Sequence, residues 1–597
     1  MQNYSIFHNL KQYIFIICCL FVAIASFEGC TVIKVKSQKD FDELREKLTS
    51  TIKTGGKNIS VTLSSGTYAF NENHITLKGI NAPETKIHIH GKGAILIPQG
   101  HEYHDGEDYQ GIFTVKNSWM SGARDVETWS SVRYADGLIE ILDVAEKRCR
   151  LKAKEALSTN TDFNNAYILI PHWYQSNVYK IDKIEGTDIY FTANNLEESS
   201  FGGYNVNDDY NYGKKGIRYK LCNIETGDDY LRIIDGKVHL PKGINTVWEG
   251  TTHRFLTIQN CRFASIDISG LQFQGNAYAE SNPAVHVKNS KCKEIRIHKC
   301  GFYGMRGNVI SITATPNVKI DNNKFEDCYY NGIKSNNESA NTIVEKNRFK
   351  SMGKRMNNTF CVVCRGTDYH VVDNVFLNYG YGGVGVGVWY KSKMKQPCCG
   401  IIENNELSFE QDYLNTIDNY SIMDGGAIYL WTKNAHSVIR YNYIHGFSGM
   451  KSNRGIFCDD GAYNFEIYGN VIMGVANSRC IDSHHIAKVE SAKTPESGID
   501  KANVNIIIRD NIVDGSIRFE GNEEVENGCV KGSNFILLAN NGKMPKNVLS
   551  NITDDEDDIV LEFNGMKKGK IGISPFSYRK LKKTAAWKSI HEYVIKK

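Results

Sequence analysis

The stretch "VKIDNNKFEDCYYNGIKSNNESANTIVEKNRF" (Val318–Phe349) contains one short motif twice. In each copy a run rich in β-branched residues, "VKI" or "TIV", leads into polar residues, an asparagine and, two residues later, a phenylalanine. Related motifs recur through residues 250–515 as "NCRF", "HKCGF", "VDNVF", "ENNEL", "RYNYI", "YGNVI" and "RDNIV". This part of the chain is therefore built from repeats.

The spacing of the motif indicates the kind of repeat. The residue two positions before the closing apolar residue lies at 300, 323, 347, 374, 405, 442 and 470, which gives steps of 23, 24, 27, 31, 37 and 28. A minimum near 23 with a variable excess is typical of a coil with insertions on one side. Short alternating runs with Gly and Asn at the corners indicate strands, and no window has a sustained helical stripe. We predict an all-β fold, a right-handed parallel β-helix of the pectate-lyase-like type.

Two sets of side chains are expected to serve this fold rather than any chemistry. The asparagines of the motif should form a ladder at a corner of the coil, bonding the backbone and one another. Cys458 and Cys480 lie one turn apart and should be buried inside the coil.

The extent of the repeats indicates the boundaries of the predicted domains. Residues 1–25 have a basic residue, the apolar run "YIFIICCLFVAIA" and a small-residue cleavage site, as signal peptides do. Residues 26–110 should hold an N-terminal cap, with a helix at "DFDELREKL", and the first turns. Residues 111–250 break the rhythm and are interpreted as an inserted β-rich module. Residues 251–540 should form the catalytic β-helix, and residues 541–597 a C-terminal cap, because a solenoid must cover its ends.

The signal segment, the net charge and the cysteines indicate the location and the partners of the protein. The signal segment predicts export to the periplasm or cell surface, and Cys30 in "FEGC" is a candidate for lipid attachment at the outer membrane. The net charge is only +4, from 71 basic and 67 acidic residues, so we expect no nucleic-acid partner. The irregular cysteines, 16 in all, suggest neither a disulfide framework nor a paired zinc motif. We expect a monomer without metal or cofactor whose partner is a polysaccharide or glycan.

The candidate site comes from three segments predicted to lie on neighbouring turns: "DGGAIYLW" (Asp424–Trp431), "GIFCDDG" (Gly455–Gly461) and "CIDSHH" (Cys480–His485). Strands about 4.8 Å apart bring carboxylates to separations suited to attack on a glycosidic bond. We expect Asp424 and Asp460, with Asp459 beside them, to be catalytic. Asp-Asp-Gly alone is also a common turn. Further residues expected to line the substrate subsites are Trp431, Asp482, His484, His485 and Trp389.

These segments resemble a known group. "RYKLCNIETGDDYLRIIDGKVHLPKG", "FASIDISGLQFQGN" and "GGAIYLW…YNYIHGF…RGIFCDDGAYNFEIYGNVI" are similar to the exported right-handed β-helix carbohydrate-active enzymes of Bacteroidetes-type bacteria, most closely family 141-like glycoside hydrolases. The resemblance implies glycosidase activity with two aspartates on nearby turns. The matching positions are Asp424 and one of Asp459 and Asp460.

Two alternatives remain. "GIKSNNESANTIVEKNRF" and "CVVCRGTDYHVVDNVF" resemble β-helix polysaccharide lyases, in which a lysine removes the C5 proton of a uronic acid and an arginine assists. Lys334 and Arg365 match those roles, but "CYYNGIK" replaces the acidic cation ligands expected before the lysine, and without a cation proton abstraction has a higher barrier. A non-catalytic glycan-binding solenoid is the second alternative, and it would not need the carboxylate cluster.

Overall fold

The computed structural model describes a little over half of the chain. The described residues are 30–70, 74–98, 135–143, 146, 148–153, 167–171, 176–192, 217–222, 232–234, 237–239, 254–274, 283–305, 307–328, 330–336, 338–353, 359–387, 398–410, 425–431, 434–446, 454–474, 479–484, 502–513, 515–519, 528–531, 534–537 and 559–561.

Three long parallel sheets form the body of the protein. Sheet A has 13 strands: Cys30–Val35, Asn58–Leu63, Asn81–Gly91, Arg262–Ser269, Lys291–His298, Val318–Asp321, Ala340–Glu345, Thr367–Val372, Cys398–Glu403, Asn434–Arg440, Tyr463–Tyr468, Val504–Arg509 and Val530–Lys531. Sheet B has 13 strands: Gly66–Phe70, Ala94–Pro98, Gln272–Gln274, Gly301–Tyr303, Lys324–Glu326, Arg348–Met352, Val375–Tyr379, Glu406–Ser408, Tyr443–His445, Val471–Met473, Ile512–Val513, Phe535–Leu537 and Ile559–Leu561. Sheet C has 11 strands: Ile75–Lys78, Leu256–Gln259, Val285–Lys288, Ile310–Thr313, Ile333–Ser335, Phe360–Cys364, Gly382–Val386, Gly426–Leu430, Arg454–Cys458, Arg479–Ser483 and Ser516–Phe519.

The chain visits these sheets in a fixed order. Each complete turn contributes one strand to sheet A, then to sheet B, then to sheet C, and every strand pairs in parallel with the strand one turn away. Within the described part of residues 250–515 the regular elements are all strands. The predicted parallel β-helix is therefore confirmed.

The asparagines of the repeat motif form the expected ladder at the corner between sheets A and B. Each side-chain oxygen accepts from a backbone N–H of the preceding turn at 2.9 to 3.1 Å. Each amide group donates to a backbone carbonyl and, except in the last member, Asn534, to the next asparagine. The members, all buried, are Asn323, Asn347, Asn374, Asn405, Asn442, Asn470, Asn511 and Asn534. The ladder satisfies corner backbone groups that would otherwise be buried without partners, at a cost of about 1–3 kcal/mol each.

The apolar residue that closes each motif points inward. Phe273, Phe302, Phe325, Phe349 and Phe376 stack on successive turns with ring centroids 4.5 to 4.9 Å apart. The centroid spacing equals the strand spacing, so the repeat places one ring directly above another.

The two cysteines singled out from the sequence are buried on adjacent turns, as predicted. Their rows differ, however, because Cys458 pairs in register with Ser483 rather than with Cys480. Burial raises the pKa of Cys458 well above its usual value, so the thiol stays protonated.

The open N-terminal end of the coil is covered by two helices, Gln38–Asp42 and Leu44–Lys53. Ser37 caps the first helix by accepting from the backbone N–H of Asp40. Leu44, Leu48 and Ile52 recur at helical spacing, are buried and belong to the main core. The segment "DFDELREKL", expected to form one helix, is therefore divided between the end of the first helix and the start of the second.

Outside the three sheets, six antiparallel strands close a barrel: Ala135–Asp143, Arg148–Ala153, Tyr167–Pro171, Ser176–Glu185, Asp188–Thr192 and Ile217–Cys222. A hairpin follows at Arg232–Ile234 and Lys237–His239. Both lie within residues 111–250, where the sequence predicts an inserted β-rich module. The predicted signal peptide falls outside the described residues, and of the predicted C-terminal cap only Ile559–Leu561 is described, as a strand of sheet B. Among the described residues no helix is long and apolar enough to cross a membrane.

Candidate active site on sheet C

The outer face of sheet C carries two rows of side chains that run from turn to turn. The upstream row, fixed by strand register, contains Lys334, Val363, Gly385, Tyr429, Phe457, Asp482 and Arg518. The downstream row, two residues further along each strand, contains Asn336, Arg365, Gly387, Trp431, Asp459 and His484. It continues the ladder through backbone bonds such as that from the Asp459 N–H to the Leu430 carbonyl, 2.8 Å, and that from the His484 N–H to the Cys458 carbonyl, 2.8 Å.

Two aspartates follow the strand Arg454–Cys458 because the chain turns there. The Ala462 N–H donates to the Asp459 carbonyl at 3.1 Å, and Gly461 has a φ of 73°. A left-handed residue at the third position of a turn is the reason for glycine there. The turn lets both Asp459 and Asp460 remain on the outer face, where strand alternation alone would place one of them inside.

Asp459, Asp460 and His484 come together at this turn. One ligand atom from each side chain lies within 4.8 Å of the others. Asp459, Asp460 and His484 are each half-buried, and the Oδ1 atom of Asp460 is shielded from solvent. These side chains could hold a metal ion, since carboxylate and imidazole are suitable ligands. Their separation of at most 4.8 Å is slightly below the about 5 to 5.5 Å between the carboxyl groups of retaining glycosidases.

Tyr429, on the neighbouring turn, was not identified from the sequence. Its hydroxyl donates a short hydrogen bond to Asp459 Oδ2 and lies 3.5 Å from the hydroxyl of Tyr381. Burial, reinforced by the negative charge of Asp459, raises the pKa of Tyr429 well above its usual value. The phenol therefore stays protonated and acts as a donor to the carboxylate.

An aromatic cluster occupies the face beside these groups. Its members are Phe360, Val363, Tyr381, Tyr429, Trp431 and Phe457. Trp431, expected to line a substrate subsite, is only 8% exposed and packs on Phe360 with ring centroids 5.2 Å apart. Glycine at 385 permits this packing, because a Cβ there would lie 2.9 Å from both Trp431 and Phe360. The ring helps to form the floor of the site.

Asp482 has a different environment from the one expected of a subsite residue. It is fully buried, with its oxygens 2.7 Å from Arg454 Nε and 2.9 Å from Arg518 Nε, and Arg479 lies 3.5 Å away. Burial alone would raise the pKa of Asp482, but the charges of Arg454 and Arg518 outweigh it and lower the pKa. Asp482 therefore holds arginines in place and does not line a subsite directly.

The residues of the lyase alternative occupy the same face. Lys334 lies in the upstream row, and Arg365 lies in the downstream row on the next turn, where its Nε donates to the Gly387 carbonyl at 3.1 Å. Both are half-buried. Along the rows, two strands separate Arg365 from Asp459.

Three predicted site residues, Asp424, Trp389 and His485, lie outside the described residues. The residue after Asp424, Gly425, accepts from the Arg454 N–H at 3.1 Å, at the start of the strand whose end leads to Asp459. The register partner of Asp459 is instead Trp431. The expected pairing of Asp424 with Asp460 thus stays a prediction, and the described residues give it no support.

Comparison with known proteins agrees with this architecture. The family model "Right handed beta helix region" matches residues 225–393. No curated protein has a significantly similar sequence.

Solved structures with a similar fold include a chain described as a glycoside hydrolase, with a TM-score of 0.47, 12% identity, and coverage of 84% of this chain and 96% of that one. A mannuronic acid specific polysaccharide family 6 lyase from human gut microbiota has a TM-score of 0.38 and 11% identity, covering 95% and 98%. A hyperthermoactive exopolygalacturonase from Thermotoga maritima has a TM-score of 0.29 and 12% identity, covering 82% and 88%. At such identities and TM-scores these matches say nothing of the function of this chain, and its right-handed β-helix fold rests on the three parallel sheets and the family model.

Proposed function

We propose that this protein is an exported glycoside hydrolase that cleaves a polysaccharide or glycan on the outer face of sheet C, with Asp459 and Asp460 as the catalytic carboxylates. The observation that carries the proposal is the convergence of Asp459, Asp460 and His484 within 4.8 Å, at a turn of the solenoid rather than inside it. Two carboxylates at short range are the minimal machinery for glycosidic hydrolysis.

The neighbours of the two aspartates suggest different roles. The Tyr429 hydroxyl donates to Asp459, and a hydrogen-bond donor stabilises the ionised form of a carboxylate. Asp459 is therefore assigned as the base or nucleophile. Asp460, whose Oδ1 atom is shielded from solvent, is assigned as the acid that protonates the leaving oxygen, because desolvation favours the neutral carboxyl group. His484 would orient the substrate or one carboxylate.

The lyase remains a second candidate because of one specific observation. Lys334 and Arg365 lie on adjacent turns of the same face, in the two rows that also carry Tyr429 and Asp459. A lysine base with an assisting arginine is sufficient for β-elimination when the uronate carboxylate is neutralised. Both candidates place the substrate on sheet C.

One experiment separates the two. The mature protein is incubated with a panel of plant and host polysaccharides, and products are assayed for new reducing ends and for the ultraviolet absorbance of an unsaturated uronate. Hydrolysis gives reducing ends without that absorbance. Asp460→Asn should then lower the rate by about 10² to 10⁴, while Lys334→Ala and Arg365→Ala serve as matched controls.

The opposite pattern supports the lyase: absorbance in the products, loss of activity in the Lys334 and Arg365 variants, and tolerance of Asp460→Asn. Failure of the parent protein to act on any member of a broad panel, together with binding of one of them, would instead support a glycan-binding solenoid.

A further inference from the structure

The arginines around Asp482 form a positively charged cluster beside the proposed catalytic aspartates. Arg454, Arg479 and Arg518 come from three consecutive turns, and all three guanidinium groups approach the one carboxylate. Arg454 is also held against the ring of Phe457, 3.9 Å from its centroid. Among the described residues, three cations face one anion here, which gives a local excess of positive charge.

The members of this cluster differ in exposure. The side chains of Arg454 and Asp482 are 6% and 0% exposed, so this pair forms the buried base of the cluster. The side chains of Arg479 and Arg518 are 38% and 28% exposed. The bond to Asp482 uses the Nε of Arg518, and a guanidinium group carries five N–H donors in a planar fork. Arg518 is thus fixed in place while part of it still faces solvent.

The same sign of charge continues along the outer face of sheet C. Among the described residues of its two rows and strand ends, basic side chains outnumber acidic ones. The basic residues are Lys78, Lys288, Lys334, Arg365, Arg454, Arg479 and Arg518, and the acidic ones are Asp459, Asp460 and Asp482. The chain as a whole is nearly balanced. A surface of one sign attracts ligands of the other.

We propose that Arg479 and Arg518 form a subsite for an acidic sugar, so that the substrate is an anionic polysaccharide bearing carboxylate or sulfate groups. This inference rests on the proposed function only for the location of the cleaved bond. The strand of Arg518 lies two steps from the strand that leads to Asp459, about 10 Å at the usual strand spacing. One oligosaccharide lying along the face would reach both.

Asp482 has a positioning role in this subsite. A lone pair of arginines on a sheet face would repel each other and sample many rotamers. The shared carboxylate holds both guanidinium groups before a ligand arrives, which lowers the entropy lost on binding. The planar fork of arginine suits carboxylate and sulfate oxygens alike.

The test measures binding rather than turnover. Full-length mature Asp460→Asn protein is titrated calorimetrically with oligogalacturonate, alginate and chondroitin sulfate oligosaccharides, and with methyl-esterified oligogalacturonate as a neutral counterpart. We expect at least one acidic ligand to bind more tightly than the neutral one. Arg518→Gln should weaken that binding by about tenfold, as expected for one charge-assisted hydrogen bond. The identity of the preferred ligand separates a carboxylate subsite from a sulfate subsite.

Two controls make the result specific. Arg518→Lys keeps the charge and should recover part of the affinity, and Arg509→Gln removes a half-exposed arginine from sheet A and should change nothing. Thermal unfolding of each variant verifies that it folds. The proposal is overturned if no acidic ligand is preferred over the neutral one, or if Arg518→Gln and Arg479→Gln bind like Arg509→Gln. An active hydrolase with equal affinity for both ligand types would refute the subsite alone.

Discussion

The outer faces of sheets A and C are built on the same turns but use charge differently. On sheet A, acids and bases pair across neighbouring strands, as in Arg296 with Asp321, Lys319 with Glu345 and Arg440 with Glu403. On sheet C, two aspartates and a histidine converge at a turn beside buried aromatic rings, and three arginines share one carboxylate.

The two faces differ in whether neighbouring charges compensate each other. Cross-strand pairs on sheet A compensate each other and give a soluble surface that also discourages mispairing of turns. Adjacent carboxylates and clustered arginines do not compensate in this way, and such arrangements concentrate at functional sites. The outer face of sheet C therefore has the features expected of a functional site.

The largest effect is expected from replacing one aspartate on each sheet. Asp459→Asn should lower turnover by about 10² or more while leaving the thermal unfolding midpoint nearly unchanged. Asp321→Asn should do the reverse, because Asp321 is 1% exposed and makes bonds of 2.7 and 2.8 Å to Arg296. Kinetics and thermal unfolding of both variants test this. Equal loss of activity in the two would remove the distinction between the faces.

Asp482→Asn should reduce stability, by about 3–5 kcal/mol, since removing one partner of a buried ion pair leaves uncompensated charge. Its pKa is lowered in the folded state, so its contribution is present above the unfolded pKa of about 3.9. That contribution is lost as the pH falls through the lower folded pKa. The gap in unfolding midpoint between the parent and the variant should therefore be wide at neutral pH and narrow in acid. A gap independent of pH would argue against the ion-pair explanation.

Tyr429→Phe should have a smaller and more diagnostic effect. The ring remains, so the aromatic cluster is preserved, but Asp459 loses the hydrogen bond from the Tyr429 hydroxyl. We expect kcat to fall by about tenfold to a hundredfold and the acidic limb of the pH–rate profile to move to higher pH. Tyr381→Phe is the matched control, one hydroxyl further away. A lower kcat with an unmoved profile would mean that Tyr429 has only a packing role.

The sequence predicts the coil well because its determinants are periodic. Asn323, Asn347 and their successors recur at the turn length, so one motif is sufficient to infer both the strands and the corner ladder. The site is only partly predictable. Asp459 and His484 are found because each directly follows a strand, whereas Tyr429 and Arg518 are ordinary residues of alternating strands. Their positions beside Asp459 and Asp482 depend on strand register, which insertions of variable length hide.

The same reason explains the different outcome for Asp482 and Trp431. Both lie on or directly after a strand next to the one that leads to Asp459, but the exposure of a side chain depends on what the adjacent turns contribute. Arg454 and Arg518 cover Asp482. The absence of a side chain at Gly385 lets Trp431 pack against Phe360. Side chains from separate turns determine these contacts.

The smallest effect is expected for an exposed ion pair on the outer face of sheet A. Glu466 lies 3.7 Å from Arg509, with side chains 30% and 41% exposed, so water and salt screen the pair. Glu466→Gln should change stability by no more than about 1 kcal/mol and leave both turnover and ligand affinity unaltered. Thermal unfolding, kinetics and calorimetry on this variant provide the measurement. A loss of turnover comparable with that of Asp459→Asn would show that the charged face of sheet A also takes part in function, and would weaken the assignment of the site to sheet C.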